Sequence, residues 1–128
     1  MDTRDGGYRQ RLGRLAEDLA VGFLLAQGAT IVLRNYRCRC GELDIVVRHG
    51  GELAIIEVRA RSSHAYGGAA ESVNALKRRR IARAATQLLQ QRCDLARMRV
   101  RFDVIAISEP LEPAPHIEWI RHAFFCAR

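Results

Sequence analysis

The sequence has no apolar run longer than a few residues, so no segment is expected to span a bilayer and no membrane partner is expected. Residues 1–15 contain no apolar stretch of the kind that forms a signal-peptide core, which leads to the expectation of a cytoplasmic protein. The four cysteines, Cys38, Cys40, Cys93 and Cys126, are too scattered for a disulfide framework. Cys38 and Cys40 would share one face of a strand. Two thiolates with no second pair nearby make a weak zinc signal, and reduced structural thiols are the expectation. Aromatic residues are scarce at 6%, which leaves few groups for stacking on bases; Tyr36 and Tyr66, expected in loops, are the candidates. Lysine is scarcer still: of 21 basic residues, Lys77 alone is lysine.

What is present suits one globular domain spanning residues 1–128, with 1–7 expected to be flexible. A composition of 48% hydrophobic and 27% charged residues excludes a disordered chain. The net charge of +7 favours a polyanionic partner, nucleic acid and DNA foremost.

Apolar residues recur at helical spacing from Tyr8 to Gln27, with Gly28 placed to end the helix. A short strand is expected at Ile31, Val32 and Leu33, bounded by Asn35. Two further strands, Glu42–Arg48 and Glu52–Ala60, flank a tight turn at His49-Gly50-Gly51. Ser62–Gly68 reads as a loop. A second helix is expected over Ala70–Gln91, burying Val73, Leu76, Ile81, Ala84, Ala85, Leu88 and Leu89. Arg101–Ile107 is dense in β-branched residues and predicts a strand, the prolines at 110, 113 and 115 a loop, and His116–Phe125 an edge strand. Trp119, Ile120, Phe124 and Phe125 could cover the core or form a dimer seam, and core is preferred. The order predicts an α/β fold, an αβββαβ sandwich with a mixed central sheet and flanking helices.

Asp44 and Glu57 stand inside strongly apolar strands, where an ionised carboxylate is costly unless a cation or hydrogen bonds compensate. Pairing about the glycine turn sets Asp44 opposite a residue close to Glu57. With a backbone carbonyl such as that of Val58, two such acids make a hard-oxygen site for Mg²⁺ or Mn²⁺. The competing reading is a structural ion pair with Arg48, Arg59 or Arg61. Glu17, at the edge of the first helix's buried stripe, is a third acid, either a metal ligand or an exposed helix glutamate. Asp103, also in an apolar strand, is expected to hold a structural partner such as an arginine. Lys77, Arg79, Arg80 and Arg83 crowd one helix, with Arg37 and Arg61 near the acids. This charge suits phosphate-backbone contact, although such runs are more often a solvated face.

Taken together, Gly13–Glu17, Arg34–Arg37, Gly41–Asp44, Ile56–Arg61, Ala75–Lys77 and Arg101–Val104 resemble the YraN family of predicted endonucleases, itself similar to archaeal Holliday-junction resolvases. The resemblance implies a restriction-endonuclease-like fold with a D…ExK site, in which Glu17, Asp44 and Glu57 bind the metal. Arg59 stands where that motif has lysine. Arginine keeps the charge that stabilises a phosphate transition state, but it cannot give up a proton, and its planar fork places donors differently. Two expectations result: a metal-dependent nuclease acting on DNA, branched or structured DNA included, or a catalytically weak or inactive nucleic-acid-binding member of the same fold. Whether Lys77 stands in for the motif lysine is a question of distance. By analogy with the resolvases, a two-fold homodimer would suit a junction-cutting enzyme.

Overall fold

Helix α1 (Thr3–Ala26), strands β1 (Thr30–Cys38), β2 (Gly41–His49) and β3 (Glu52–Arg61), helix α2 (Ala75–Gln91), and strands β4 (Arg99–Ser108) and β5 (His116–Phe124) follow one another in a computed structural model describing residues 3–61, 68 and 70–125. The strands form one sheet in sequence order, β1-β2-β3-β4-β5. β3 and β4 run parallel, joined by the α2 crossover, and every other pair is antiparallel. The αβββαβ order and mixed sheet are those expected, with β5 added along β4.

Each face of the sheet carries its own core. Ala16, Ala20 and Leu24 of α1 pack over Ile45, Val47, Ala54, Ile56, Ile105 and Ile107. Ile81, Ala84, Ala85 and Leu88 of α2 pack over Val46, Leu53, Ile55, Val104 and Phe124 on the other face. Alternation along the strands sends successive apolar side chains to opposite helices, which is why β2, β3 and β4 read as continuous hydrophobic runs.

The expected turns hold. Gly28 (φ 87) closes α1, its amide donating to Leu25 O while that of Ala29 donates to Leu24 O. Gly50 (φ 59) and Gly51 (φ 79) form the two-residue hairpin between His49 and Glu52.

Several boundaries differ. α1 begins at Thr3, ahead of the apolar spacing that suggested Tyr8. β1 continues past Asn35 to Cys38, because Asn35 adopts a left-handed φ of 54 within the strand rather than ending it. α2 starts at Ala75, since the Asn74 side chain caps it by accepting from Lys77 N at 2.9 Å. Leu76, expected to be buried, is exposed in that first turn. Phe125 also departs from the core expectation: Phe124 is buried, whereas Phe125, one residue past β5, is 84% exposed. Tyr36 lies on β1 rather than in a loop; its ring packs against the α2-side core and its hydroxyl donates to Gln91 Oε1 at 2.7 Å, so it is not free to stack. Tyr66 and Cys126 lie outside the described residues.

Asp103 is wholly buried and has the arginine partner expected of it. Arg101 Nε donates to its Oδ2 at 3.0 Å, Trp119 Nε1 to the same oxygen at 2.9 Å, and the His122 amide to Oδ1 at 3.1 Å. This network ties β5 to β4.

Candidate metal and phosphate site

The register of the sheet singles out one rung. β1 and β2 pair Arg34 with Ile45 and Tyr36 with Leu43, so Asn35 faces Asp44. β2 and β3 pair up to Ile45 with Ile56, so the next rung sets Asp44 against Glu57. Neither ladder includes this rung. Leu43 joins the core under α2 and Ile45 the core under α1, although they are two residues apart, so side-chain alternation breaks at Asp44. Instead of a backbone ladder, the Asp44 carboxylate reaches across and accepts the Val58 amide at Oδ2, 2.9 Å. The strands part where the two acids stand.

Both carboxyls are pushed up from their ordinary values. Burial raises Glu57 from 4.5 to about 7, with the Asp44 charge adding to it and Lys77 and Arg59 opposing. Burial likewise raises Asp44, offset in part by the Val58 hydrogen bond and by Lys77. Glu17, on the neighbouring stretch of α1, is raised by burial and then by Asp44. With the Asn35 amide turned as its surroundings require, its nitrogen donates to Glu17 Oε1 at 3.1 Å and Oε2 at 3.2 Å. Arg34 lies 3.9 Å from Glu17 and 2.8 Å from Asp18. Asn35 thus positions Glu17, and its signal in the sequence is a polar residue opposite a strand-interior acid.

Two cations meet Glu57. Lys77 Nζ and Arg59 Nε each lie 3.8 Å from Glu57 Oε1, in contact but beyond hydrogen-bonding distance. Arg59 Nε is buried and has no hydrogen-bond partner among the described residues. A buried N–H left without an acceptor is costly, and a phosphate or water oxygen would satisfy it. The ion-pair alternative for the acids therefore holds only loosely: Arg59 touches Glu57 without a hydrogen bond, and Arg48 pairs with Asp94 at 3.2 Å instead.

Among the described residues, no three His, Cys, Asp or Glu side chains come together as a metal-binding group. The acids meet as a pair, Asp44 with Glu57, and Glu17 feels the charge of Asp44. The donor set still fits a small hard cation. Mg²⁺ is held by one or two carboxylates and completes its shell with water and substrate oxygens. Among the described residues, no cation comes within hydrogen-bonding distance of Asp44 or Glu57.

The expected phosphate-binding residues divide between the two flanks of α2. Arg37, Lys77 and Arg80 surround a cavity of about 280 Å³ beside the β1–β2 turn. Gly41, the first residue of β2, lies close against α2: a Cβ there would be a tight 3.1 Å from Arg80 Cβ and 3.2 Å from Arg80 O. Arg79 and Arg83 are exposed on the opposite flank of the helix. Arg37 is 79% exposed and 3.4 Å from Glu42, a surface pair that holds little energy. Arg61 is half-buried at the end of β3.

No helix among the described residues is long and apolar enough to cross a membrane. Residues 16–107 match the model of the family described as "Uncharacterised protein family UPF0102". The chain is 48% identical to a UPF0102 protein of Hahella chejuensis over 115 residues, 90% of each chain. It is 48% identical to one from Desulforapulum autotrophicum, over 91% of this chain and 94% of that one. To one from Solibacter usitatus it is 44% identical, over 91% and 88%.

Proposed function

The chain belongs to the UPF0102 family, and from its carboxylate pair we propose that it is a divalent-metal-dependent nuclease that hydrolyses a DNA phosphodiester. The observation that carries this reading is the meeting of Asp44, Glu57, Lys77 and the unpartnered Arg59 Nε in the gap between β2 and β3. Asp44 and Glu57, with the Val58 carbonyl, are the residues that would hold Mg²⁺ or Mn²⁺, and Glu17 would act on the pair from α1. When bound, the metal would polarise a phosphate oxygen and acidify a water.

The chain's own residues supply the remaining parts. Lys77 takes the place of the motif lysine, coming from α2 rather than from β3. Its ammonium and the Arg59 guanidinium both stabilise the negative charge that grows on phosphate as water adds and one P–O bond breaks. Arg59 donates and never accepts a proton, so it orients and does not act as base. Arg37 and Arg80 position the phosphate backbone beside Lys77.

Incubation with linear, nicked, flapped and four-way DNA in Mg²⁺ or Mn²⁺ tests the proposal, with Glu57→Ala as control. Metal-dependent strand scission absent from the variant is the expected result; no scission of any of these substrates overturns it. The substitution at Arg59 favours a second reading, a member that binds nucleic acid and cuts weakly or not at all. It predicts salt-sensitive DNA binding that survives Glu57→Ala.

A further inference from the structure

A second cavity, larger than the one beside Lys77, does not contain the acids. It is a groove of about 820 Å³ between the outer flank of α2 and strand β5. Arg79, Arg83, Thr86 and Gln90 form one wall, at the three- and four-residue spacing that sets side chains in a row along a helix. His122 and Phe124 form the other wall, and Phe125 stands at the lip.

Its chemistry is one-sided. No aspartate or glutamate is among its described lining residues. Two of the lining arginines are already engaged. Arg101 is tied to Glu52 and Asp103, and Arg78 donates to the Val73 and Ala70 carbonyls while lying over the Phe124 ring at 5.1 Å. Arg79 and Arg83, both exposed, are left to meet an anion.

The floor and lip are aromatic. Phe102 and Phe124 stack at 5.3 Å, with ring planes 20° apart. Phe125 stacks on His122 at 6.3 Å and remains 84% exposed. The His122 amide is bonded to the buried Asp103, so this wall is fixed to the core. A large exposed phenyl beside a basic wall suits a ligand that is flat, aromatic and anionic together.

We propose that this groove takes an unpaired stretch of nucleic-acid strand, with a base stacked on Phe125 and its phosphates against Arg79 and Arg83. The proposal rests on the nucleic-acid reading above and adds the substrate class: DNA in which a duplex adjoins an unpaired segment. The groove has the volume of sites that hold a drug-sized molecule, roughly 300–1,000 Å³. That admits a base and its sugar but not a duplex. Stacking platforms flanked by cations are the general means by which proteins hold single strands. Because α2 carries Lys77 on its other flank, a strand in this groove would leave the adjoining duplex beside the acids.

Fluorescence anisotropy on the full chain, without metal, tests this with a labelled single strand, a blunt duplex of the same sequence and a duplex with a single-stranded tail. The variants are Phe125→Ala and Arg83→Glu. Phe125 is exposed, so its loss does not threaten folding. Phe125→Ala is expected to weaken binding of the single strand and the tailed duplex by about 5- to 150-fold, while the blunt duplex changes less than about twofold. Arg83→Glu should weaken the tailed substrate more than the blunt one. Equal effects on all three DNAs, or none, overturn the proposal and leave the nucleic-acid reading standing. Failure of the unaltered chain to bind any DNA overturns both. Sedimentation closes the remaining route: a dimer that Phe125→Ala converts to monomer would show that a second copy of the chain fills the groove, and the proposal fails.

Discussion

The ammonium of Lys77 stands 3.8 Å from Oε1 of Glu57, although the two residues lie on different elements and twenty positions apart. Arg59 Nε touches the same oxygen at the same distance from its own strand. One carboxylate therefore has two cations beside it, one from β3 and one from α2. If the proposed hydrolysis is right, Lys77→Ala should lower kcat by about 100- to 1,000-fold, as loss of a charge-stabilising donor does. Arg59→Lys should retain most activity, because the charge stays. Steady-state cleavage kinetics decide; an unchanged rate in Lys77→Ala would return the whole task to Arg59.

Asp44 has two duties that separate by substitution. Its carboxylate accepts the Val58 amide and at the same time repels Glu57. Asp44→Asn keeps an acceptor for that amide and removes the repulsion. Without metal at pH 8 it should be at least as stable as the parent while losing cleavage, a trade expected where function holds like charges together. Asp44→Ala leaves the amide unsatisfied and should lose about 1–3 kcal/mol. Urea midpoints for both variants check this.

The elevated Glu57 gives a pH dependence with a definite sign. Its folded value, about 7, lies above the ordinary 4.5, so the folded protein binds more protons than the unfolded chain between these limits. Stability from this group is full below pH 4.5 and is lost as pH rises through 7, by roughly 3 kcal/mol. In chelator, the Tm should fall across that window, and Glu57→Gln should flatten the slope. With Mg²⁺ or Mn²⁺ the order reverses, since a cation binds the ionised pair: apparent metal affinity should rise from pH 6 to 8 with release of a proton, read by titration calorimetry in two buffers.

The wholly buried Asp103 is a structural acid, in contrast to the pair at the gap. Its oxygens take hydrogen bonds from Arg101, Trp119 and His122. Asp103→Ala leaves the buried Arg101 with Glu52 as its remaining acid and takes the acceptor from the Trp119 indole and the His122 amide, and should destabilise by about 3–5 kcal/mol. Denaturant unfolding measures the loss. At a temperature where the variant is folded, its affinity for blunt duplex DNA should match the parent's.

Phosphate contacts from the cavity beside Lys77 should appear as salt dependence. Replacing both Arg37 and Arg80 with alanine should reduce the slope of log affinity against log salt by about 2, without altering any sequence preference. Filter binding between low and physiological salt gives the slope, and an unchanged value would remove these two arginines from the interface.

Much of this architecture was legible in the chain. Alternating and continuous apolar runs marked the strands, Gly50 and Gly51 the hairpin, and Asp44, Glu57 and Asp103 stood out as charges in apolar strands. Local order of this kind is written at spacings of two to four residues, which a sequence displays directly. Leu76 and Phe125 misled because apolar character at an element's end does not say which way the chain leaves the core.

The sequence by itself determined which acids needed an explanation; the tertiary structure decided what that explanation is. Asp103 and Glu57 look alike in the chain, each an acid among β-branched neighbours. In the fold, Asp103 is enclosed by three bonded donors, whereas Glu57 faces Asp44 across an unpaired rung with cations at 3.8 Å and an unpartnered Arg59 Nε. The difference arises from sheet register, from the left-handed turn of Asn35 within β1, and from the crossover that brings Lys77 back over β3. These are contacts between residues distant along the chain. Their energies depend on distance and burial, which local spacing does not carry.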